Sequence, residues 1–127
     1  MVGYAVCRRG NTVVKQGDII KTDFDPSLGH EQAGYRPALV VSPVFFIKTT
    51  NLALVCPITN SDRQFPTHVK LSQKMKTTGF VMAEQIRAVD LKVRHFRVVE
   101  RVPKDIMEKV SNLVKASVDV LEDYEEN

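Results

Sequence analysis

The stretch RPALVVSPVFFIKTTNLALVCPIT, residues 36–59, carries the strongest structural signal in the chain. It contains two short runs of branched aliphatic side chains, 36–42 and 52–58. Runs of this length and composition are typical of buried β-strands. If the two strands pair as antiparallel neighbours, Arg36 and Thr59 lie at the same end of the pair.

Weaker strand patterns lie on both sides of this pair. These strands are predicted at 17–24, at 67–71, within 79–90 and at 96–102. Alternation within 79–90 predicts one continuous strand with Val81 and Ala83, and with Gln85 two residues further, on one face. Glycine, proline and aspartate separate most of the runs, which indicates short connections between strands.

The C-terminal part of the chain predicts a helix that begins at Pro103, because proline is well tolerated in the first helical turn. The stripe expected to face the sheet consists of Ile106, Val110, Leu113, Val114, Ser117 and Leu121. Five to seven short strands followed by one helix predict a mainly β, α+β chain. The expected architecture is a small antiparallel β-barrel or curled sheet with the C-terminal helix packed on it.

Length and composition restrict the class of protein. The chain has 127 residues, 43% of them hydrophobic and 26% charged, as expected of one globular domain. No apolar run approaches the roughly 20 residues of a membrane-spanning helix, so no membrane partner is expected. Arg8 and Arg9 follow only a few uncharged residues, and we expect no signal peptide. Cys7 and Cys56 lie far apart and are therefore interpreted as free thiols in a reducing cytoplasm.

Charge is distributed unevenly along the chain. We divide the sequence into an N-terminal extension, residues 1–16, interpreted as partly mobile, a domain at 17–121, and an acidic tail at 122–127. The net charge is +3, and removing the five negative charges of 119–127 leaves +8 on residues 1–118. A basic body favours a polyanionic partner such as RNA or DNA, although many basic proteins bind no such partner.

Metal-dependent chemistry finds little support in the spacing of ligand types. Cys7 and Cys56 have no paired cysteine or histidine ligands. Asp23 and Asp25 are two residues apart and could face one side of a strand, as in a two-metal nuclease. The alternative is that Asp25, followed by Pro26, simply caps a turn. We expect neither a metal site nor a cofactor.

Cleavage of RNA without a metal requires fewer groups, because the 2′-OH beside the scissile phosphate is the nucleophile. Arginine suits the stabilisation of a pentavalent phosphorane, while a carboxylate or histidine can move protons. The loop at 29–36 supplies His30, Glu31 and Arg36, and the strand end at 57–61 supplies hydroxyls and an amide.

Simpler explanations exist for each of these groups. Arg36 could pair with Glu31 at the surface, Thr59 could begin an ordinary turn, and His30 could be a solvated loop residue. The residue types alone leave these alternatives open.

The sequence motifs, taken together, resemble the MazF/PemK family of toxin endoribonucleases. The matching segments are GDII at 17–20, DFDP at 23–26, GHEQAGYRPALVVS at 29–42, PIT at 57–59, EQIR at 84–87 and the helix start at 103–106. The likeness covers about residues 17–121, and the EQAGYRP block is long and ordered.

The resemblance implies an SH3-like barrel with a C-terminal helix, and usually a homodimer. It implies the toxin of a type II toxin–antitoxin system that cleaves single-stranded RNA at short sequence motifs without metal. The products carry a 2′,3′-cyclic phosphate and a 5′-OH. An antitoxin protein is the implied partner, with an extended acidic and apolar segment that covers the RNA groove.

The resemblance also implies site residues. Arg36 and Thr59 match the two catalytic positions of the family, and Glu31 matches a loop glutamate that supports activity or substrate positioning. The implied RNA contacts are Phe24, Pro26, His30, Gln32, Asn60, Ser61, Glu84 and Gln85. His30 stands where serine is common, which leaves open whether it moves a proton or only contacts RNA.

A second class of function is a barrel that acts by binding a protein, as a related DNA gyrase poison does. The presence of both Arg36 and Thr59 argues against this class, because a binder does not require that pair.

Overall fold

The computed structural model of the chain describes residues 8–9, 12–23, 36–61, 64–121 and 124. The strands in these ranges are β1 (Arg8–Arg9), β2 (Thr12–Val13), β3 (Asp18–Thr22), β4 (Arg36–Val40), β5 (Ala53–Thr59), β6 (His68–Lys70), β7 (Phe80–Met82), β8 (Arg87–Val89) and β9 (Phe96–Arg101). The helices are α1 (Val44–Thr50), α2 (Lys104–Ala116) and a short 3-10 helix (Ala83–Gln85). None of these helices is long and apolar enough to cross a membrane.

Seven of the described strands form one antiparallel sheet. Six of them follow the order β6-β7-β5-β4-β3-β9, and the seventh, β8, pairs with β5 off this path. Strand β5 pairs with β8 along its first half and with β7 along its second, so the sheet bends at this strand. The predicted antiparallel sheet with a C-terminal helix is confirmed. The sheet is open, because no pairing among the described strands joins β6 to β9, and the expected barrel closure is not observed.

The central pair β4–β5 is the one that the sequence indicates most strongly. Its register sets Ala38 opposite Pro57, Leu39 opposite Cys56 and Val40 opposite Val55. Nearly all of these side chains are buried, as expected of a strand pair covered on both faces.

Alternate side chains of the central strands enter two different hydrophobic cores. The α1-side core contains Ile20 and Val40, and α1 contributes Ile47 to it. The α2-side core contains Ile19 and Leu39, each one residue away in sequence from its counterpart. Helix α2 covers this second core with two buried residues, Ile106 and Val110. Burial on both faces fixes the strand register, because a slip of one residue would exchange the cores.

The segment 79–90 differs from the sequence-based expectation of a strand through Ala83. The strand predicted through Ala83 and Gln85 ends at Met82, and a 3-10 helix and the separate strand β8 follow it. The Ala83 amide donates to the Thr67 carbonyl, a bond to a neighbouring segment that sequence alternation does not reveal. Arg8–Arg9, within the N-terminal extension defined from the sequence, lies in β1 and pairs with β2.

Helix α1 was not predicted, although its ends carry recognisable signals. Pro43 precedes it, and Asn51 follows it in the left-handed conformation at φ 64° with its amide bonded to the Ile47 carbonyl. Helix α2 is shorter than predicted and ends at Ala116. The Ser117 hydroxyl donates to the Val114 carbonyl, and Leu121 is exposed rather than part of the apolar stripe.

Gly79 and Gly17 adopt positive φ values, which disfavour side chains. Gly79, at φ 119°, lies against the end of β5, where a Cβ atom would be 2.4 Å from the Thr59 carbonyl oxygen. Gly17, at φ 96°, precedes β3, where a Cβ atom would be 3.3 Å from the flexible Arg101 side chain. Of these two glycines, Gly79 is therefore the one whose missing side chain lets its backbone lie close to the backbone of Thr59.

Glu100 on β9 is hydrogen-bonded to the loop that precedes β7. Its carboxylate accepts bonds from the Thr77 amide at 2.6 Å, the Thr77 hydroxyl at 2.7 Å and the Lys76 amide at 3.1 Å. Partial burial raises the pKa of Glu100, but these bonds and the Lys76 charge outweigh it. The pKa of Glu100 is held below its ordinary value of 4.5.

We predict that Gly79→Ala destabilises the protein more than Gly17→Ala does. Both changes place a side chain at positive φ, which costs about 1 kcal/mol. Gly79→Ala adds a clash with backbone, so its total cost should reach about 2 kcal/mol or more. Urea denaturation of both variants measures the difference, and equal destabilisation would show that the approach to Thr59 is not tight.

Glu100→Gln should lower the free energy of unfolding at neutral pH and matter less in acid. Because the folded-state pKa of Glu100 is lowered, its contribution is complete above about pH 4.5 and is lost as pH falls through the folded-state value. Denaturation of wild type and variant between pH 7 and pH 3 should show the gap between them closing. A gap that stays constant over this range would contradict the prediction.

Candidate active site

Arg36 and Thr59 lie at the same end of the central strand pair. Arg36 is the first residue of β4 and Thr59 the last residue of β5. Extended by two residues, the observed register sets Arg36 opposite Thr59. Side chains directly opposite each other on antiparallel strands have Cβ atoms about 5 Å apart.

The two residues also share a face of the sheet. Successive side chains of a strand point to opposite faces, so Arg36 lies on the same face as Ala38 and Val40. Both of these belong to the α1-side core. On β5, Thr59 lies on the same face as Val55, which belongs to the same core. Arg36 is exposed and Thr59 is half-buried, so this core gives way at the sheet's end to groups that solvent can reach.

A cleft of about 280 Å³ extends from Thr59 across the neighbouring elements. Its lining comes from the end of β5, the turn before β6, and the segment from β7 through the 3-10 helix. The lining residues are Thr59, Ser61, Phe65, His68, Met82, Glu84 and Gln85. The cleft thus combines hydroxyl, amide, imidazole and carboxylate groups with one aromatic ring.

Thr59 occupies a hydrogen-bonded turn. Its hydroxyl oxygen accepts a bond from the Ser61 amide at 3.0 Å, which leaves the hydroxyl hydrogen available as a donor. The side-chain carbonyl of Asn60 accepts a bond from the Thr78 hydroxyl at 2.9 Å. The turn that the residue types suggest at Thr59 is present. It does not remove the Thr59 hydroxyl from the cleft, because the hydroxyl hydrogen is still available as a donor there.

Glu84 is held by bonds to both of its carboxylate oxygens. The Thr67 hydroxyl donates to Oε1 at 2.7 Å, and Nε2 of His68 lies 3.0 Å from Oε2. Partial burial raises the pKa of Glu84. The Thr67 hydroxyl, the backbone amide of Glu84 and His68 together outweigh burial and hold the pKa below its ordinary value. Glu84 is therefore an ionised acceptor in the wall of the cleft.

His68 is packed behind this carboxylate. Its side chain is 4% exposed, and its ring lies 5.1 Å from the ring of Phe65 between centroids. An ionised carboxylate only accepts hydrogen bonds, so Nε2 of His68 carries the hydrogen. Nδ1 is buried and has no hydrogen-bond partner among the described residues.

The structure locates part of the predicted site. Ser61, Glu84 and Gln85 line the cleft with Thr59, and Asn60 adjoins it. Arg36 begins β4 at the same end of the strand pair as Thr59, but it is not among the residues that line the cleft. The predicted residues that fall outside the described part of the chain are Phe24, Pro26, His30, Glu31 and Gln32, and Asp25 and Cys7 also fall there.

Sequence reasoning missed Phe65, Thr67, His68 and Met82. An aromatic residue followed by proline in a polar loop, as at Phe65 and Pro66, was an available signal for an exposed ring. The strand alternation over 67–71 placed His68 on one face but could not show that this face meets Glu84.

Cys56 lies in the core and takes no part in the site. It is a free, buried cysteine, as predicted. Burial, and secondarily the negative charge of Glu84, raise the pKa of its thiol to about 12. At neutral pH the thiol is therefore protonated and a poor nucleophile.

Comparisons with known proteins agree with this arrangement. Residues 15–118 match the family model described as the PemK-like, MazF-like toxin of type II toxin–antitoxin systems. The chain is 39% identical over 106 residues to endoribonuclease PemK of Escherichia coli, covering 80% of each chain. It is 34% identical over 109 residues to the endoribonuclease toxin MazF of Escherichia coli K12, covering 86% of this chain and 94% of that one.

Solved structures show the same fold. The crystal structure of MazF (Form-I) from Deinococcus radiodurans superposes with a TM-score of 0.74 at 30% identity, covering 85% of this chain and 98% of that one. The MazE–MazF (Form-II) structure from the same organism gives a TM-score of 0.75 at 30% identity, covering 83% and 95%.

The antiparallel sheet, its helix and the cleft thus define a toxin of a type II toxin–antitoxin system. The chain belongs to the PemK-like, MazF-like toxin family. The family and the endoribonuclease class predicted from the sequence are confirmed.

Proposed function

We propose that the protein cleaves single-stranded RNA at short sequence motifs, without metal, and leaves a 2′,3′-cyclic phosphate and a 5′-OH. The observation that supports this proposal is the antiparallel pairing of β4 and β5, in which Arg36 begins β4 and Thr59 ends β5, with Thr59 in the lining of a polar cleft. A guanidinium and a hydroxyl at the same end of a strand pair can contact the same phosphate group.

In this mechanism the RNA supplies its own nucleophile. The 2′-oxygen attacks the adjacent phosphorus, the bond from phosphorus to the 5′-oxygen breaks, and the 2′-proton leaves to a base. Arg36 stabilises the phosphorane and the leaving oxygen through its permanent charge and paired donors. Thr59 donates its hydroxyl hydrogen to a non-bridging phosphate oxygen.

The proton transfers require other groups, because arginine stays protonated at all ordinary pH values. We assign Glu31 as a base or a positioning group, following the family resemblance. The further RNA contacts that we propose are Phe24, Pro26, His30, Gln32, Asn60, Ser61, Glu84 and Gln85. Three of these line the cleft with Thr59, which supports a common RNA path.

We propose that an antitoxin protein inhibits the enzyme by covering this cleft with an extended acidic and apolar segment. The MazE–MazF complex of Deinococcus radiodurans supports a partner of this kind. The charge of +8 on residues 1–118, which remains when the acidic end is excluded, favours an acidic partner as well as RNA.

We further propose a cytoplasmic homodimer whose sheet closes as the SH3-like barrel of the family. The bend of the sheet at β5, where β7 and β8 pair with different halves of one strand, is the kind of curvature that such a barrel requires, although no pairing among the described strands closes it.

Arg36→Ala should lower the rate of RNA cleavage at least about 30-fold, because loss of an electrostatic donor costs about 2–3 kcal/mol in the transition state. Thr59→Val should lower kcat with a smaller effect on KM. The measurement is cleavage of a transcript in excess EDTA, with mapping of 5′-OH ends.

Arg101→Ala is the matched control for this experiment. Arg101 is an exposed arginine at the far end of the sheet, where it donates to the Gln16 carbonyl. The Arg101→Ala variant should cleave RNA at nearly the wild-type rate. Near-wild-type cleavage by Arg36→Ala, or cleavage that stops in EDTA, would contradict the proposal.

The homodimer makes a separate prediction. Sedimentation equilibrium at micromolar concentration should give twice the mass of one chain. A monomer that still cleaves RNA under the same conditions would show that the dimer is not required.

A further inference from the structure

The wall of the cleft beyond Thr59 has features that catalysis does not use. Glu84 is ionised, 28% exposed and held at both oxygens, although the phosphate backbone of RNA would be repelled by a negative charge. The group of an RNA strand that suits this wall is therefore a base, whose edge carries hydrogen-bond donors.

The carboxylate has the capacity for such a base. An ionised carboxylate offers about four acceptor positions on its two oxygens. Thr67 and His68 each use one, on different oxygens, and the backbone amide of Glu84 uses a third, so capacity for one further bond remains. A carboxylate fixed in this way accepts bonds from an exocyclic amino group in a defined direction.

An aromatic surface lies beside the carboxylate. Phe65 lines the same cleft and is 49% exposed, so part of its ring is accessible to a ligand in the cleft. Unstacked RNA bases bind to exposed aromatic rings and are then hydrogen-bonded along their edges. Phe65 and Glu84 therefore supply the two kinds of contact that one base requires.

His68 connects these two residues. Its ring packs against Phe65, its Nε2 bonds Glu84, and its Nδ1 is buried without a partner among the described residues. An unpaired buried acceptor costs stability, so packing alone gives no reason for histidine here. The contact with Glu84 gives that reason.

Backbone bonds strengthen the connection between the two segments. The Thr67 carbonyl accepts from the Ala83 amide at 3.1 Å, and the His68 amide donates to the Phe65 carbonyl at 3.0 Å. The turn that carries Phe65 and the 3-10 helix that carries Glu84 are thus fixed relative to each other.

We propose that Phe65 and Glu84 form a base-recognition subsite for an amino-bearing base of the RNA, with Thr67 and His68 as the positioning residues that aim the carboxylate. The proposal rests on the proposed function. The family resemblance implies that Glu84 contacts RNA. The class of base and the roles of Phe65, Thr67 and His68 are inferred from the geometry described above.

Adenine and cytosine carry an exocyclic amino group where guanine and uracil carry a carbonyl oxygen, and guanine carries its amino group at C2. Uracil has no amino group, and its one edge donor, the N3–H, lies between two carbonyl oxygens that a fixed carboxylate repels. The subsite should therefore disfavour uracil at one position of the cleaved motif.

The test uses the full-length protein and RNA oligonucleotides that carry each of the four bases in turn at every position around the mapped cleavage site. Wild type should discriminate against uracil about tenfold or more in kcat/KM at one position, since a hydrogen bond to a charged group is involved. Thr67→Val and His68→Phe should each reduce that ratio about fivefold, and Phe65→Ala should raise KM for every base there.

Two substitutions test the chemistry directly. His68→Gln retains an N–H near the position of Nε2 and should keep most of the discrimination. Glu84→Gln adds a donor to the acceptor and should improve cleavage of the uracil substrate at that position. Thr49→Val on α1, where the hydroxyl donates to the Phe45 carbonyl within the same helix, is the control and should leave every ratio unchanged.

The outcomes separate the two proposals. Discrimination that survives both Thr67→Val and His68→Phe, or rates that fall equally for all four bases at every position, would overturn the subsite and leave the nuclease intact. An absence of discrete fragments from wild type would overturn both proposals. If circular dichroism shows that His68→Phe is unfolded, Thr67→Val and His68→Gln decide the question.

Discussion

The pairing of β4 with β5 is the constraint on which the molecule depends. The two strands lie at the centre of the sheet, and their side chains fill both cores. A shift of one residue would move Leu39 and Val40 into each other's cores and would separate Arg36 from Thr59. Core packing and active-site geometry are therefore set by the same register, so mutations that loosen the core should also affect catalysis.

The polar wall of the cleft depends on a different kind of interaction. Thr67 and His68 each bond an oxygen of Glu84, and the Ala83 amide bonds the Thr67 carbonyl. These contacts join segments that are about sixteen residues apart in sequence. A fixed carboxylate next to an exposed ring provides direction as well as charge, which is what discrimination among bases requires.

Much of the fold and part of the site could be predicted from the sequence. Aliphatic runs gave the central strands, and residue-type motifs gave Arg36, Thr59, Glu84 and Gln85 as site candidates. Helix α1 was missed because its apolar residues resemble a strand, and only Ile47 among them is fully buried. The strand predicted within 79–90 is present at Phe80–Met82, but it does not continue through Ala83, where a 3-10 helix begins and the Ala83 amide bonds the Thr67 carbonyl.

The family, the main strands along the chain and the candidate catalytic residues can be recognised in the sequence, because local periodicity and ordered motifs are properties of the chain alone. The folded chain was needed to show that the sheet is open among the described strands and that Thr67 and His68 bond Glu84 beside Phe65. Such contacts depend on how strands distant in sequence pair and bend, and short-range patterns contain no information about those distances.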